Sequence, residues 1–152
     1  MNIKKGITLL MLAIVIIIMI ALTTVTITTG TDMYNTTKKV KLQSEINQLE
    51  ILVENYIKRS SGIPFEFVEL DISSYSDEEK LQFSDENIID NKIELYMVDI
   101  EAVDAEELIH GTQKDGLTDR YLYSSTTSKI YYELGETIGD TIYHRVDNME
   151  EN

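Results

Sequence analysis

From Ile7 to Leu22 the chain is apolar at every position except Thr8, and no ionisable side chain occurs between Gly6 and Thr31. As a helix, residues 7–28 would extend roughly 33 Å, close to the hydrocarbon core of a bilayer at about 30 Å. The pattern predicts a membrane-spanning helix over 7–31. Three segments share this appearance: a secretory signal, a simple anchor, and the assembly helix of a filament subunit. A secretory signal has a shorter apolar stretch and a small-x-small cleavage site, whereas Ala21 is followed by Leu22, Thr23, Thr24 and Val25. Six threonines, two β-branched aliphatics and Gly30 fill residues 23–31, which makes this the weakest part of any helix passing through. In lipid the hydroxyls can bond back to the preceding turn, so a helix can continue.

Further along, Leu42, Ile46, Leu49, Val53 and Tyr56 recur at alternating steps of four and three, with Glu45, Glu50 and Glu54 assigned to other faces. That is one apolar stripe on a polar helix over 32–58. It covers too few heptads for a coiled coil and is expected to pack on the chain's own domain. Lys58, Arg59, Gly62 and Pro64 supply its stop signals.

Residues 59–147 predict an acidic globular α+β domain. Phe65 to Ile72 alternates as a strand or an extended lead-in, and Ser76 to Glu79 has capping-box spacing. Ser84 to Asp90 predicts another helical turn. Ile93, Leu95 and Met97 mark a strand, Tyr121–Ser124 and Lys129–Leu134 a hairpin, and Thr141–Val146 a last strand after a turn from Gly135 to Gly139. The economical core is an antiparallel sheet laid across the amphipathic half-helix. Residues 148–152 are expected to be a tail.

Charge sharpens the division. The formal net charge is −14, yet Lys4 and Lys5 are the only charges before Asp32; from Asp32 onward stand 11 basic against 27 acidic side chains. Two leading lysines and an acidic remainder orient the amino end toward the cytoplasm and the domain outside. An acidic surface repels phosphate backbones, so no nucleic-acid partner is expected. No cysteine is present, which removes disulfides, thiolate zinc sites and cysteine nucleophiles.

Candidate chemistry is sparse. His110 beside Gly111 and His144 in the last strand read as ordinary polar residues. There is no nucleophile elbow, no phosphate-cradling glycine loop and no paired-histidine motif, so no catalytic residue, cofactor or metal site is assigned. Asp99, Glu101, Asp104, Glu106 and Glu107 supply oxygen ligands suited to calcium, but without the spacing and glycine of a calcium loop. They read as a solvated acidic face.

Lys4-Lys5-Gly6-Ile7-Thr8-Leu9-Leu10, followed by an apolar helix, an amphipathic continuation and a C-terminal sheet, resembles the type IV pilin-like family of pilins, type II secretion pseudopilins and competence pilins. The resemblance rests on the motif over residues 4–57 and on architecture beyond it. It implies a class III signal peptide, with residues 1–6 as leader, cleavage by a prepilin peptidase at the Gly6–Ile7 bond, and N-methylation of Ile7. It also implies partners: other pilin-like subunits, an assembly platform, and membrane lipid along residues 7–28. The subunit would be a single-pass protein of the cytoplasmic membrane before joining a cell-surface filament. Abundant Ile, Asn and Lys without cysteine resemble Gram-positive clostridial members, with archaeal pilins as a second home.

One position departs from that pattern. Members that form the bulk of a filament carry glutamate five residues after the leader glycine, where this chain has Met11. In the family that carboxylate pairs with a neighbour's N-terminal amine, an attraction strong in lipid because water does not screen it. Met11 can only pack, which implies a minor or atypical subunit, or assembly by apolar contact alone. A membrane-anchored binding module that never polymerises is the expectation from a different class.

Overall fold

The computed structural model describes residues 3–105 and 107–147, with the side chains at 3–11, 13 and 21–29 outside the description. The first two leader residues and the predicted tail at 148–152 thus lie outside the described residues. Contacts divide the chain into two units, Met1–Thr37 and Lys38–Asn152.

A single helix, α1, runs Ile3–Arg59. Its C-terminus has the expected grammar. Lys58 and Arg59 occupy the last turn, where cations favour the exposed carbonyls, and the backbone and hydroxyl of Ser60 both donate to the Tyr56 carbonyl, at 3.1 and 3.0 Å. Gly62 at φ 150° and then Pro64 turn the chain away.

The second unit is α+β, with the later part of α1 packed on an antiparallel sheet. Strand β1 (Glu66–Asp71) leads through α2 (Asp77–Leu81) to β2 (Lys92–Met97), and then to β3 (Tyr121–Tyr123) and β4 (Ile130–Tyr132). These strands form a four-stranded sheet in the order β1-β2-β3-β4, every pair antiparallel. A separate ribbon pairs β5 (Glu136–Ile138) with β6 (Thr141–Tyr143). The segment from Gly135 to Gly139, expected to be only a turn, therefore holds a strand. Its connection is the dipeptide Gly139-Asp140, with Gly139 in the left-handed region at φ 63°.

Helix α2 starts with the predicted capping box: Ser76 Oγ accepts from the Glu79 N–H at 3.2 Å, and Glu79 Oε2 accepts from the Ser76 N–H at 2.8 Å. The helical turn expected over Ser84–Asp90 is absent from the described structure. Hydrogen-bonded turns end near Glu86, and a tight reversal at Asp90-Asn91, both at positive φ, is closed by the Ile89–Lys92 bridge. Asx residues tolerate that conformation, so here local turn chemistry prevails over helix spacing.

Two apolar clusters lie on opposite faces of the sheet. On one face the α1 stripe meets Tyr121, Tyr123, Ile130 and Tyr132; on the other, Leu70, Ile93, Leu95, Leu122 and Tyr131 enclose Phe83. Strands β3 and β4 are buried at all six positions because they are covered on both sides.

Candidate functional site

The residues expected to direct processing and assembly, Lys4, Lys5, Gly6, Ile7 and Met11, all have helical backbone within α1, and their side chains lie outside the description. Next to them, Leu12 and residues 14–20 expose between 47% and 65% of their surface. Among the described residues no helix is long and apolar enough to cross a membrane; most of the predicted span at 7–28 has side chains outside the described set. The threonine side chains at 23–29, where back-bonds are expected, lie outside the description; Thr37 Oγ1 donates to the Met33 carbonyl at 2.8 Å.

The stripe is gathered in one place. Leu42, Ile46, Leu49 and Val53 are fully buried, and Tyr56 is half-buried with its ring stacked on Phe65 at 5.9 Å. Helical residues four and three apart share a face, so their burial follows from the spacing.

Glu45 differs from its assignment to another face: it is 7% exposed. It stands three residues after Leu42 and four before Leu49, which puts it at the border of the stripe. Its carboxylate accepts from the Ile109 N–H at 2.6 Å, the Tyr121 hydroxyl at 2.7 Å and the His110 N–H at 3.3 Å, and pairs with His110 Nδ1 at 2.8 Å. His110 Nε2 in turn faces Glu136 at 3.3 Å, and Glu136 meets Lys38 Nζ at 2.7 Å. One carboxylate on α1 thereby joins a loop, a central strand and the β5–β6 ribbon.

The electrostatics follow from those partners. Burial pushes the Glu45 carboxyl up, but the His110, Ile109 and Tyr121 donors overcome it and hold the group below its ordinary value. The hydrogen bond that its ring gives to Glu45 raises His110 against the opposing effect of burial, and Glu136 adds to the rise. A carboxylate at each ring nitrogen favours the protonated form of His110, in which both nitrogens donate. Tyr121 is raised by burial first and by Glu45 second.

Comparable nodes surround the sheet. Glu86, 8% exposed, accepts from the hydroxyls of Ser124 at 2.6 Å, Tyr131 at 2.8 Å and Thr127. Asp119 accepts from the Gly111 N–H at 2.7 Å and the Tyr132 hydroxyl at 2.9 Å. Burial pushes Asp119 up, and those donors bring it below the usual aspartate value. His144, just beyond β6, is buried and stacks on Tyr75 at 4.7 Å between centroids, with Nδ1 2.9 Å from the Tyr132 carbonyl oxygen. Arg145 spans Glu50 and Asp147. Burial raises the Tyr75 hydroxyl to about 12, with Glu133 and Glu79 contributing.

Among the described residues the surface clefts are open ones. The one between β2 and the loop before β3 has a volume of about 430 Å³ and is lined in part by Asp99, Glu101, Thr112 and Arg120, with the Arg120 guanidinium paired to Glu133. Among the described residues no group of three or more His, Asp or Glu side chains is arranged to hold a metal ion. Within the acidic run, Asp99 Oδ1 accepts from the Ala102 N–H at 3.0 Å, and Glu106 lies outside the described residues. The arrangement is one of structural cross-links between helix and sheet. Compared with family models, with curated proteins and with solved structures, the chain matches none.

Proposed function

We propose that this protein is a structural subunit of a type IV pilus-like or type II secretion-like filament, processed by a prepilin peptidase and assembled through its N-terminal helix. The observation that carries the reading is the two-part character of α1. Its early part follows Lys4-Lys5-Gly6-Ile7 and exposes apolar side chains at 12 and 14–20, while its later part buries the Leu42-to-Tyr56 stripe in a folded α+β unit. A helix of this kind can exchange lipid for the apolar surfaces of neighbouring subunits without disturbing its own domain, since packing and not hydrophobicity drives helix association in lipid. With Met11 at the position of the usual glutamate, the subunit is a minor or atypical one.

Under this proposal the partners are a prepilin peptidase, other pilin-like subunits with their assembly platform, and membrane lipid along residues 7–28. The subunit waits in the cytoplasmic membrane with its amino end inside and its acidic unit outside. Co-expression with a prepilin peptidase tests the first step: N-terminal sequencing is expected to begin at Ile7, and a product that keeps Met1 or begins elsewhere sinks the proposal. Cysteines introduced at Leu12 and Ile16 test the second. A bundle gives oxidative crosslinking ladders, whereas a solitary anchored binding module gives none.

A further inference from the structure

The two edges of the four-stranded sheet are finished differently. At β4 every outward backbone group is met: the Tyr132 N–H donates to the His144 carbonyl at 2.7 Å, the Ile130 N–H to Glu50 Oε1 at 3.3 Å, and Arg145 Nη1 to the Ile130 carbonyl at 3.1 Å. At β1 the Ile72 N–H donates to the Asn91 carbonyl, and on β2 the Val98 N–H donates to Tyr121 on the far side. Antiparallel alternation then turns the even positions of β1 toward β2 and the backbone of Phe67, Glu69 and Asp71 outward. Among the described residues none hydrogen-bonds to that outer edge.

The edge is well formed for pairing. Six consecutive residues keep register with β2, with no bulge, glycine or proline to spoil it. Its side chains select the partner. Glu66 is exposed on one face of the sheet and Glu69 and Asp71 on the other, with Glu94 directly opposite Glu69 and Lys92 the lone cation among them. Exposed Phe67, edge-on to Tyr96 at 6.0 Å, adds an apolar anchor. A second copy of β1 would set acid against acid, which is destabilising across strands, while a strand bearing lysine or arginine gains at the same positions.

We propose that β1 is a docking edge for an extended, basic segment of another protein, which adds as a fifth strand beside Phe67, Glu69 and Asp71. Main-chain hydrogen bonds supply the attachment and the flanking carboxylates supply the choice of partner. The edge belongs to the Lys38–Asn152 unit and does not involve the early part of α1.

The test uses the full chain in detergent micelles and, as probe, an amidated peptide of alternating lysine and valine carrying a fluorophore. Anisotropy reports binding, and hydrogen exchange reports the amides of Phe67, Glu69 and Asp71. The expected result is binding with slowed exchange at those three amides. Binding is expected to weaken about tenfold or more in the E66K/D71K variant, whose changes lie at exposed positions. Glu69→Pro removes an outward N–H without removing a bond to β2, and is expected to abolish the added protection while exchange within β2 stays slow. Unchanged exchange at the three amides overturns the proposal. So does equal binding of a peptide N-methylated at alternate residues, because that would be attraction between charges without strand addition.

Discussion

Replacing Glu45 by alanine removes the acceptor on which three elements converge, and the consequences can be worked through from its partners. The Tyr121 hydroxyl is fully buried and would have no acceptor; leaving such a donor unsatisfied costs about 1–3 kcal/mol. The Ile109 N–H loses its 2.6 Å partner and the His110 ring loses the nearer of its two carboxylates. Breaking a buried ion pair from one side costs about 3–5 kcal/mol; both costs come from loss of one carboxylate and overlap, so the total is expected in that range, a large share of the ~5–15 kcal/mol that holds a domain together. Glu45→Gln keeps the shape and one acceptor oxygen and is expected to lose less. The assay is urea unfolding of the full chain in mild detergent, followed by near-ultraviolet circular dichroism of its nine tyrosines. The pH profile carries the sign. Glu45 is held below 4.5, so its contribution is complete above that value and is lost as pH falls through its folded pKa. His110 is held above 6.5, so its contribution is complete below that value and is lost as pH rises through its folded pKa. These two groups together favour the fold most between about 4.5 and 6.5, and Glu45→Gln is expected to flatten the alkaline side. A loss under about 1 kcal/mol for the alanine variant, or an unaltered alkaline slope for the glutamine variant, refutes the reasoning.

Three other outcomes are expected. Leu49→Ala, at a fully buried stripe position, should destabilise the unit by about 2–5 kcal/mol in the same unfolding assay. Gly111→Ala should cost about 2–4 kcal/mol, since its φ is +72° and a Cβ there would come within 2.4 Å of the Tyr121 ring; thermal melts measure it. Met11→Glu should raise incorporation into filaments, scored by immunoblot of sheared material, if the missing carboxylate limits assembly; no change favours assembly by apolar packing.

The periodic parts of the fold were legible. Leu42, Ile46, Leu49 and Val53 repeat at helical steps and are all buried, and the Ser76 capping box closes as its spacing predicts. Glu45 was misplaced because a carboxylate is assigned to solvent by residue type, although its position three residues after Leu42 and four before Leu49 carried the signal. Strand β5 was hidden by its flanking glycines, and the Gly139-Asp140 dipeptide was the cue to a hairpin. The partnership of Glu45 with His110 left no local trace, because the residues lie 65 positions apart and meet only after the sheet has formed. Ser84–Asp90 misled because helix-like spacing cannot reveal that Asp90 and Asn91 take left-handed backbone.

The closure of the β4 edge bears on how the chain matures. Glu50 reaches Arg145 across 95 residues, and Val146 is buried in the same cluster as the α1 stripe. Contacts of such long range are slow to form and require both ends of the interval to be free together. During synthesis the stripe has no complete sheet to cover it until β4 has been made, and the outer edge of β4 stays open until Arg145 follows. Under the proposed export the acidic unit would cross as an open chain and close late, with the stripe uncovered during the interval.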